Sequence, residues 1–273
     1  MSDFIRKIEG DLIFSKKYTF CTLMTRYDEY LEMVESAKLA GFDSEDIEFF
    51  FFDNKKSNQF DGYSGINRAL REAEGRYLIF CHQDILFKYD CREVLDQRLQ
   101  ELECIDHNWG VAGNAGKNEN GNTYIRISDP HFLDLKHGEF PESVMSLDEN
   151  FLIINRKHNL STTEFLLRGF HLYAIDLCQN ARNLGLKNYV IDFHLYHKSP
   201  GKVDQSYFEA QQDYMDMQYF RKKSQFFWAM CSQFYVSNSR LKNIFFNLRR
   251  ILRLARTILK KKDKNIKQKC EKI

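Results

Sequence analysis

Between Tyr18 and Gly113 the sequence alternates short apolar runs with stretches of helical spacing, and this alternation restricts the fold more than any other feature. YTFCTLMT (Tyr18–Thr25) is rich in β-formers. IEFFFF (Ile47–Phe52), the run opening at Arg76, and WGVAG (Trp109–Gly113) are of strand length. The segment after Thr25-Arg26-Tyr27-Asp28, a Thr-x-x-acid helix start, places Leu31, Val34 and Ala37 at helical spacing up to Gly41. A second helix carries Ile66, Ala69, Leu70 and Ala73 and stops at Gly75; a third follows Asp90-x-x-Glu93 with Leu95, Leu99 and Leu102. The order β-α-β-α-β-α-β predicts an α/β layered domain with a largely parallel sheet.

Downstream the pattern loosens. Asn114–Glu142 is rich in Gly, Asn and His and reads as a long loop region over a site. Phe151–Asn155 and Tyr189–Phe193 read as strands. Leu160 before Ser161-Thr162-Thr163-Glu164 predicts a capping box with a hydrophobic staple, and helical spacing runs from Tyr173 to Leu184, ended by Gly185. Residues after Val203 look helical to the C-terminus, with a break at Ser237-Asn238-Ser239. At 273 residues, 43% hydrophobic and 15% aromatic, the chain can bury a real core, which excludes disorder as the default. The N-terminus mixes charges into its apolar residues, unlike a signal peptide, and no run approaches the roughly 20 apolar residues of a membrane span. Of seven cysteines, an odd number with no Cys-x-x-Cys pair, most read as buried thiols in a reducing cytosol.

The polar interruption in RYLIFCHQDILF (Arg76–Phe87) is the first chemical signal. Ionisable groups at the end of a buried strand are costly unless they bind something, and ligands of open α/β sheets sit beyond the carboxyl ends of the strands. Asp84 is therefore placed at a metal or ligand, against the plain alternative of a loop carboxylate. Asp53, His82 with Asp84, and His194 with His197 each follow an apolar run, so a parallel sheet could gather them at one edge. Carboxylate and imidazole together suit Mn²⁺ or Mg²⁺, which could hold a diphosphate.

The ordered pieces CTLMTRYDEY, FFFDN, GINRALREAEGRYLIFCHQDILF, SLDENFLIINR, FHLYAIDLCQNARNLG and YHKSPG resemble the GT-A fold glycosyltransferases of the family 2 type, in a branch whose metal motif reads His-Gln-Asp in place of Asp-x-Asp. The likeness spans roughly Tyr18 to Tyr207. It implies a mixed, mostly parallel sheet flanked by helices, with lead-in 1–17, catalytic domain 18–238 and a basic C-terminal helix and tail 239–273. It further implies Asp53 at the nucleotide base or ribose, Asn67 and Arg68 on the helix beneath the nucleotide, and Asp84 as metal carboxylate. His82 would contact the donor, His197 would complete the metal and diphosphate site, and Asp176 would be the general base, with Asp148 as second choice. Ala174 stands where the family's motif has a second acid. The expected activity is an inverting, divalent-metal-dependent transfer from a nucleotide-sugar donor to a hydroxyl of a glycan or lipid-linked acceptor, in surface polysaccharide synthesis. A non-catalytic sugar-nucleotide or glycan-binding protein of the same fold is the main alternative. A nucleotidyltransferase is a third, without the glycine-rich, basic triphosphate loop it needs after the first strand.

Net charge divides unevenly, with +11 on residues 240–273 and −9 on residues 1–239. Ile244, Phe245, Leu248, Ile251, Leu252, Ala255, Ile258 and Leu259 form an apolar helical face among arginines, ahead of KKKDKNIKQK. Such a helix suits an anionic membrane surface, giving a cytoplasmic protein peripheral on the inner face, or else packs on its own domain or in a homo-oligomer. Nucleic acid is not expected as a partner, since aromatics do not interleave with the basic residues.

Overall fold

The apolar runs fold as strands of a central sheet. The structure is a computed structural model, and the residues described are 7–8, 10–199, 203–228, 232–255 and 257–258. The chain divides into two units, Met1–Gln212 and Asp213–Ile273. In the first, β1 (Lys16–Met24), α1 (Tyr27–Leu39), β2 (Ile47–Asp53), α2 (Gly62–Glu72), β3 (Gly75–Cys81), β4 (Ile85–Leu86), α3 (Arg92–Ile105) and β5 (Trp109–Gly113) follow the expected order. Then come β6 (Ala115–Lys117), β7 (Thr123–Ser128), β8 (Leu135–His137), β9 (Glu142–Val144), β10 (Ser146–Leu147), β11 (Phe151–Asn155), α4 (Tyr173–Asn183), β12 (Lys187–Val190) and β13 (Leu195–His197). Helix α5 (Gln205–Arg221) runs across the boundary between the units.

The large sheet has the order β2-β1-β3-β11-β5-β12-β9. β1 is parallel to β2 and β3, and β12 is parallel to β5, whereas β11 is antiparallel to both neighbours and β9 to β12. The sheet is thus mixed and flanked by helices, as expected, with antiparallel β11 inserted at its centre. Helix α1 uses Tyr30, Met33, Val34 and Ala37 as its buried stripe, and α3 uses Leu95, Leu99 and Leu102. Aromatic rings carry much of the core: Phe20 stacks on Phe49 at 4.7 Å and meets Phe42 and Phe87 edge-on, while Tyr77 stacks on Trp109 at 5.7 Å.

Several local expectations are corrected. The Thr25 capping box does not form; the position before α1 is Arg26, without a side-chain cap of its own. Asp90 likewise does not cap α3, because its carboxylate accepts from the backbone N–H of His194. Residues 114–142 are not a long loop. They supply most of a second sheet, β10-β6-β7-β13-β4, with β8 paired to β7. Ser161–Leu172 is turn and irregular chain rather than helix, since Thr162 and Thr163 are drawn into tertiary hydrogen bonds.

The second unit is not continuous helix either. β14 (Gln225–Trp228) and β15 (Gln233–Val236) form an antiparallel hairpin, and α6 (Arg240–Phe246) follows with Ser239 as its cap. Phe226, Tyr235 and Phe246 pack together, and Asn247 clamps Tyr235 through N–H and C=O. Asn247 and Leu248 interrupt the helix expected over 239–273, which resumes at Arg249; the lysine-rich run from Lys260 lies outside the described residues.

Gly75 tests how tightly β3 is fitted to β1. A Cβ there would lie 2.6 Å from the backbone N of Thr19 and 2.7 Å from the carbonyl carbon of Tyr18. Backbone cannot yield as a side-chain tip can, so Gly75→Ala is expected to cost about 1–3 kcal/mol of stability. A urea midpoint equal to that of the parent protein would contradict the close fit.

Candidate functional site

The carboxyl ends of the parallel strands β1, β2 and β3 open onto a cavity of about 240 Å³ lined by Leu23, Thr25, Asn54, His82, Asp84 and Tyr173 among others. Two larger hollows, of about 800 and 950 Å³, lie at the other end of the strands around Phe14, Arg76 and Arg156. Size does not select the site, because the convergent donors are at the smaller cavity.

After Cys81 the chain leaves the sheet for three residues, and each side chain of His82-Gln83-Asp84 takes a different task. Gln83 is buried; its Oε1 accepts from the backbone N–H groups of Thr25 and Arg26, both at 2.9 Å, and its Nε2 donates to Thr25 Oγ1 at 3.0 Å. The amide thus fastens the chain leading into α1 to the His82–Asp84 turn. Its role is tertiary, which is why helix-start rules applied to residues 25–28 do not reveal it.

Asp84 is buried, and β4 pairs antiparallel with β13 in a register that sets His197 opposite Ile85. The backbone N–H of Lys198 donates to the Asp84 carbonyl at 2.9 Å, and Ser199 Oγ donates to its Oδ2. His197 Nε2 lies 3.3 Å from Asp84 Oδ1, and His82 Nδ1 lies 3.9 Å from the same oxygen. One ligand atom from each of the three side chains falls within 4.8 Å of the others. His197 Nε2 is buried and faces Asp84 Oδ1 without a hydrogen bond of good geometry, which leaves a ligand atom of each residue close to the others. Two imidazole nitrogens and a carboxylate oxygen are a donor set suited to a borderline divalent cation.

Electrostatics agree with that arrangement. Burial acts to raise the Asp84 carboxyl, but the His197 and Ser199 side chains and the neighbouring imidazoles outweigh it and hold the group well below the usual carboxylate range. Burial, and then His197, lower His82 against the opposing pull of Asp84 and Asp148, which favours the neutral, ligating form of the ring.

The third wall comes from β11 and α4. The N–H of His82 donates to Asn150 O at 3.0 Å, which sets residues 148–150 beside the metal-side turn. Asp148 is exposed, and its Oδ1 accepts from the N–H and side-chain amide of Asn150. Asn150 Oδ1 is buried without a partner. Tyr173 opens α4, and its hydroxyl lies 3.3 Å from His82 Nε2 and 3.4 Å from the Glu149 carbonyl oxygen. Its ring covers Gly62, where a Cβ would come within 2.1 Å of it. Leu172, just before α4, adopts the left-handed conformation (φ 64°). Burial and the charge of Asp148 push the Glu149 carboxyl up to about 8, against the lowering influence of the backbone at Leu172, Ala174 and Tyr173.

The remaining expected residues are placed elsewhere. Asp53 ends β2 exposed, beside the cavity-lining Asn54, and accepts from Lys55 N–H. Asn67 is turned into the 162–164 segment, trading hydrogen bonds with Thr162 and donating to Glu164, and lines the 800 Å³ hollow. Arg68 is half exposed and pairs with Glu72 at 2.6 Å along the helix. Asp176 is fully enclosed, accepting from Thr163 N–H at 2.6 Å, Thr163 Oγ1 at 2.9 Å and Asn180 Nδ2 at 3.3 Å. It fastens the irregular 161–172 segment to α4. Asp176→Ala should therefore lower stability by about 1–3 kcal/mol for each buried donor left without an acceptor. Calorimetric Mn²⁺ affinity should be unchanged in the same variant; a lost affinity with an unchanged melting temperature would reverse this assignment.

Comparison with known proteins gives one relative of note. The "ATP synthase subunits region ORF 6" protein of Fuscovulum blasticum is 35% identical over 213 residues, covering 76% of this chain and 84% of that protein. The chain belongs to the family of that protein. No family model matches the chain. Among solved structures, S. aureus TarS 1–349 is similar over 68% of this chain at 14% identity and a TM-score of 0.43; the chain spans 61% of its length. A197 from STIV is similar over 69% of this chain and 97% of its own, at 11% identity and a TM-score of 0.37.

Proposed function

We propose that this member of the ORF 6 protein's family is a divalent-cation-dependent glycosyltransferase of the GT-A type. It moves a sugar, with inversion, from a nucleotide-sugar donor to a hydroxyl of a glycan or lipid-linked acceptor in surface polysaccharide synthesis. The observation that carries the reading is the convergence of His82, Asp84 and His197 beside the cavity at the carboxyl ends of β1, β2 and β3. These three residues would hold the cation. When bound, it would supply positive charge to the diphosphate that departs with the nucleoside. Gln83 fixes the β1–α1 loop beside the cavity, and Asp53, exposed at the end of β2, would take a ribose or base contact. Asp148, exposed in the turn whose Asn150 carbonyl accepts from the His82 N–H, would offer a carboxylate to the acceptor. Neutral imidazoles favour Mn²⁺ over Mg²⁺, whose preferred ligands are all oxygen.

A second reading, a sugar-nucleotide-binding protein of the same fold without turnover, is favoured by the enclosure of Asp176 and the apolar Ala174. A panel of nucleoside diphosphates and sugar nucleotides, each with Mn²⁺, Mg²⁺ or Fe²⁺, tests the site, and donor consumption separates the two readings. A ligand at 100 times its dissociation constant adds about 2.7 kcal/mol of stability, a clear rise in melting temperature. The rise is expected with Mn²⁺ plus nucleotide and is expected to vanish in Asp84→Ala. Equal stabilisation of parent and variant would refute the metal assignment.

The basic C-terminal segment extends the proposal to an anionic membrane surface. No helix among the described residues is long and apolar enough to span a membrane. Leu241, Ile244, Phe245, Leu248 and Leu254 are exposed apolar side chains among lysines and arginines. Co-sedimentation with phosphatidylglycerol vesicles should exceed that with phosphatidylcholine vesicles and weaken with added salt. Equal recovery with both lipids would remove the membrane role.

A further inference from the structure

The two oxygens of the Asp84 side chain are put to different uses. Both imidazoles approach Oδ1, with His197 Nε2 at 3.3 Å and His82 Nδ1 at 3.9 Å. Oδ2 instead accepts a hydrogen bond from the Ser199 hydroxyl. A carboxylate divided in this way offers one oxygen to a cation and withholds the other, because a hydroxyl hydrogen is directed at it.

The fold brings Ser199 to that oxygen by a short and anchored route. β13 pairs antiparallel with β4, setting Tyr196 opposite Leu86 and His197 opposite Ile85. The Lys198 N–H continues the contact one residue further, donating to the Asp84 carbonyl at 2.9 Å. The Lys198 ammonium meets Glu32 on α1, which ties the same residue to a second element. Ser199 itself is exposed, so its side chain adds little by burial. Its hydroxyl nevertheless turns to the buried Asp84 carboxylate.

The division of the two oxygens bears on which cation the site accepts. Ca²⁺ takes about six to eight oxygen ligands and commonly engages both oxygens of a carboxylate. Mn²⁺ accepts a mixed set of imidazole and carboxylate ligands. With Oδ2 engaged, His82, His197 and Asp84 present two nitrogens and a single oxygen, a set poor for Ca²⁺. Groups that hydrogen-bond a ligand fix its direction toward the metal, and their loss lowers metal affinity by about 10–100-fold.

We propose that Ser199 is a positioning residue of the cation site, which confines Asp84 to binding through Oδ1 and thereby favours Mn²⁺ over Ca²⁺. This assignment rests on the reading of His82, Asp84 and His197 as cation ligands. Ser199 acts through Asp84 and need not touch the cation itself.

The test titrates the full chain with Mn²⁺ alone and with Ca²⁺ alone by calorimetry, and repeats both with uridine or guanosine diphosphate present. The parent is expected to bind Mn²⁺ more tightly than Ca²⁺. Ser199→Ala should raise the Mn²⁺ dissociation constant about 10–100-fold and narrow the preference for Mn²⁺ over Ca²⁺, with the melting temperature of the metal-free protein unchanged. Ser199→Thr keeps the hydroxyl and should restore both values. If Ser199→Ala does not fold, Ser199→Val is set against Ser199→Thr, since the two differ by the hydroxyl at nearly equal size. A hydroxyl-free variant with the parent's Mn²⁺ affinity, or one weakened equally for both ions, overturns the role of Ser199 and leaves the cation site standing. So does a threonine variant no better than alanine, or a parent that binds the two ions equally. A parent protein that binds Mn²⁺ under none of these conditions overturns the cation site and this assignment together.

Discussion

The pairing of β4 with β13 is the interaction on which the site depends. It joins residues more than a hundred positions apart through a two-residue strand, and it alone explains why the late His197 reaches the early Asp84. The partners on either side are as important as the pair. β13 is held by β7 on its other edge, and His194, next to β13, is stacked on Tyr89 at 3.9 Å and bonded to buried Ser128 at 2.8 Å. The small second sheet is therefore the scaffold of the metal-side histidine, and residues 114–128 contribute to the site by supporting it.

A second level of organisation concerns which groups occupy the site and which hold it. Gln83, Asn54, Asn67 and Asp176 are buried polar residues whose hydrogen bonds, to backbone and to neighbouring side chains, tie loops to the sheet and helices. Near the candidate site, His197 Nε2 and Asn150 Oδ1 are buried without a hydrogen bond of good geometry. Polar residues satisfied within the protein maintain the geometry of the loops around the site.

Much of the frame was legible in the sequence because it obeys simple periods. Leu95, Leu99 and Leu102 face inward as their spacing requires, Phe151–Asn155 is a fully buried strand, and Gly41 and Gly185 both take positive φ after their helices. Asp84 and His197 converge as their positions after apolar runs suggested. The second sheet was hidden because β4, β6, β8, β10 and β13 are only two or three residues long, too short to show a period of their own. The hairpin at 225–236 was read as helix because its short strands are held by pairing with each other and by aromatic contacts with α6, which local spacing does not show. Asp176, Asn67 and Gln83 were opaque as well. Whether a polar side chain serves a ligand or a loop is decided by what lies across from it, which spacing along one chain does not record.

Gly62 and Tyr173 carry a consequence for how this family can vary. The first turn of α2 lies so close to the tyrosine ring that any side chain at position 62 would claim the volume the ring fills. The two positions form one steric unit although they are far apart in the chain. Among relatives, a residue larger than glycine at 62 should appear only alongside a smaller residue at 173. Since the tyrosine hydroxyl touches the His82 ring, that exchange would also remove a polar group from the cavity wall. Covariation at 62 and 173 would therefore mark lineages in which the specificity of the site has changed.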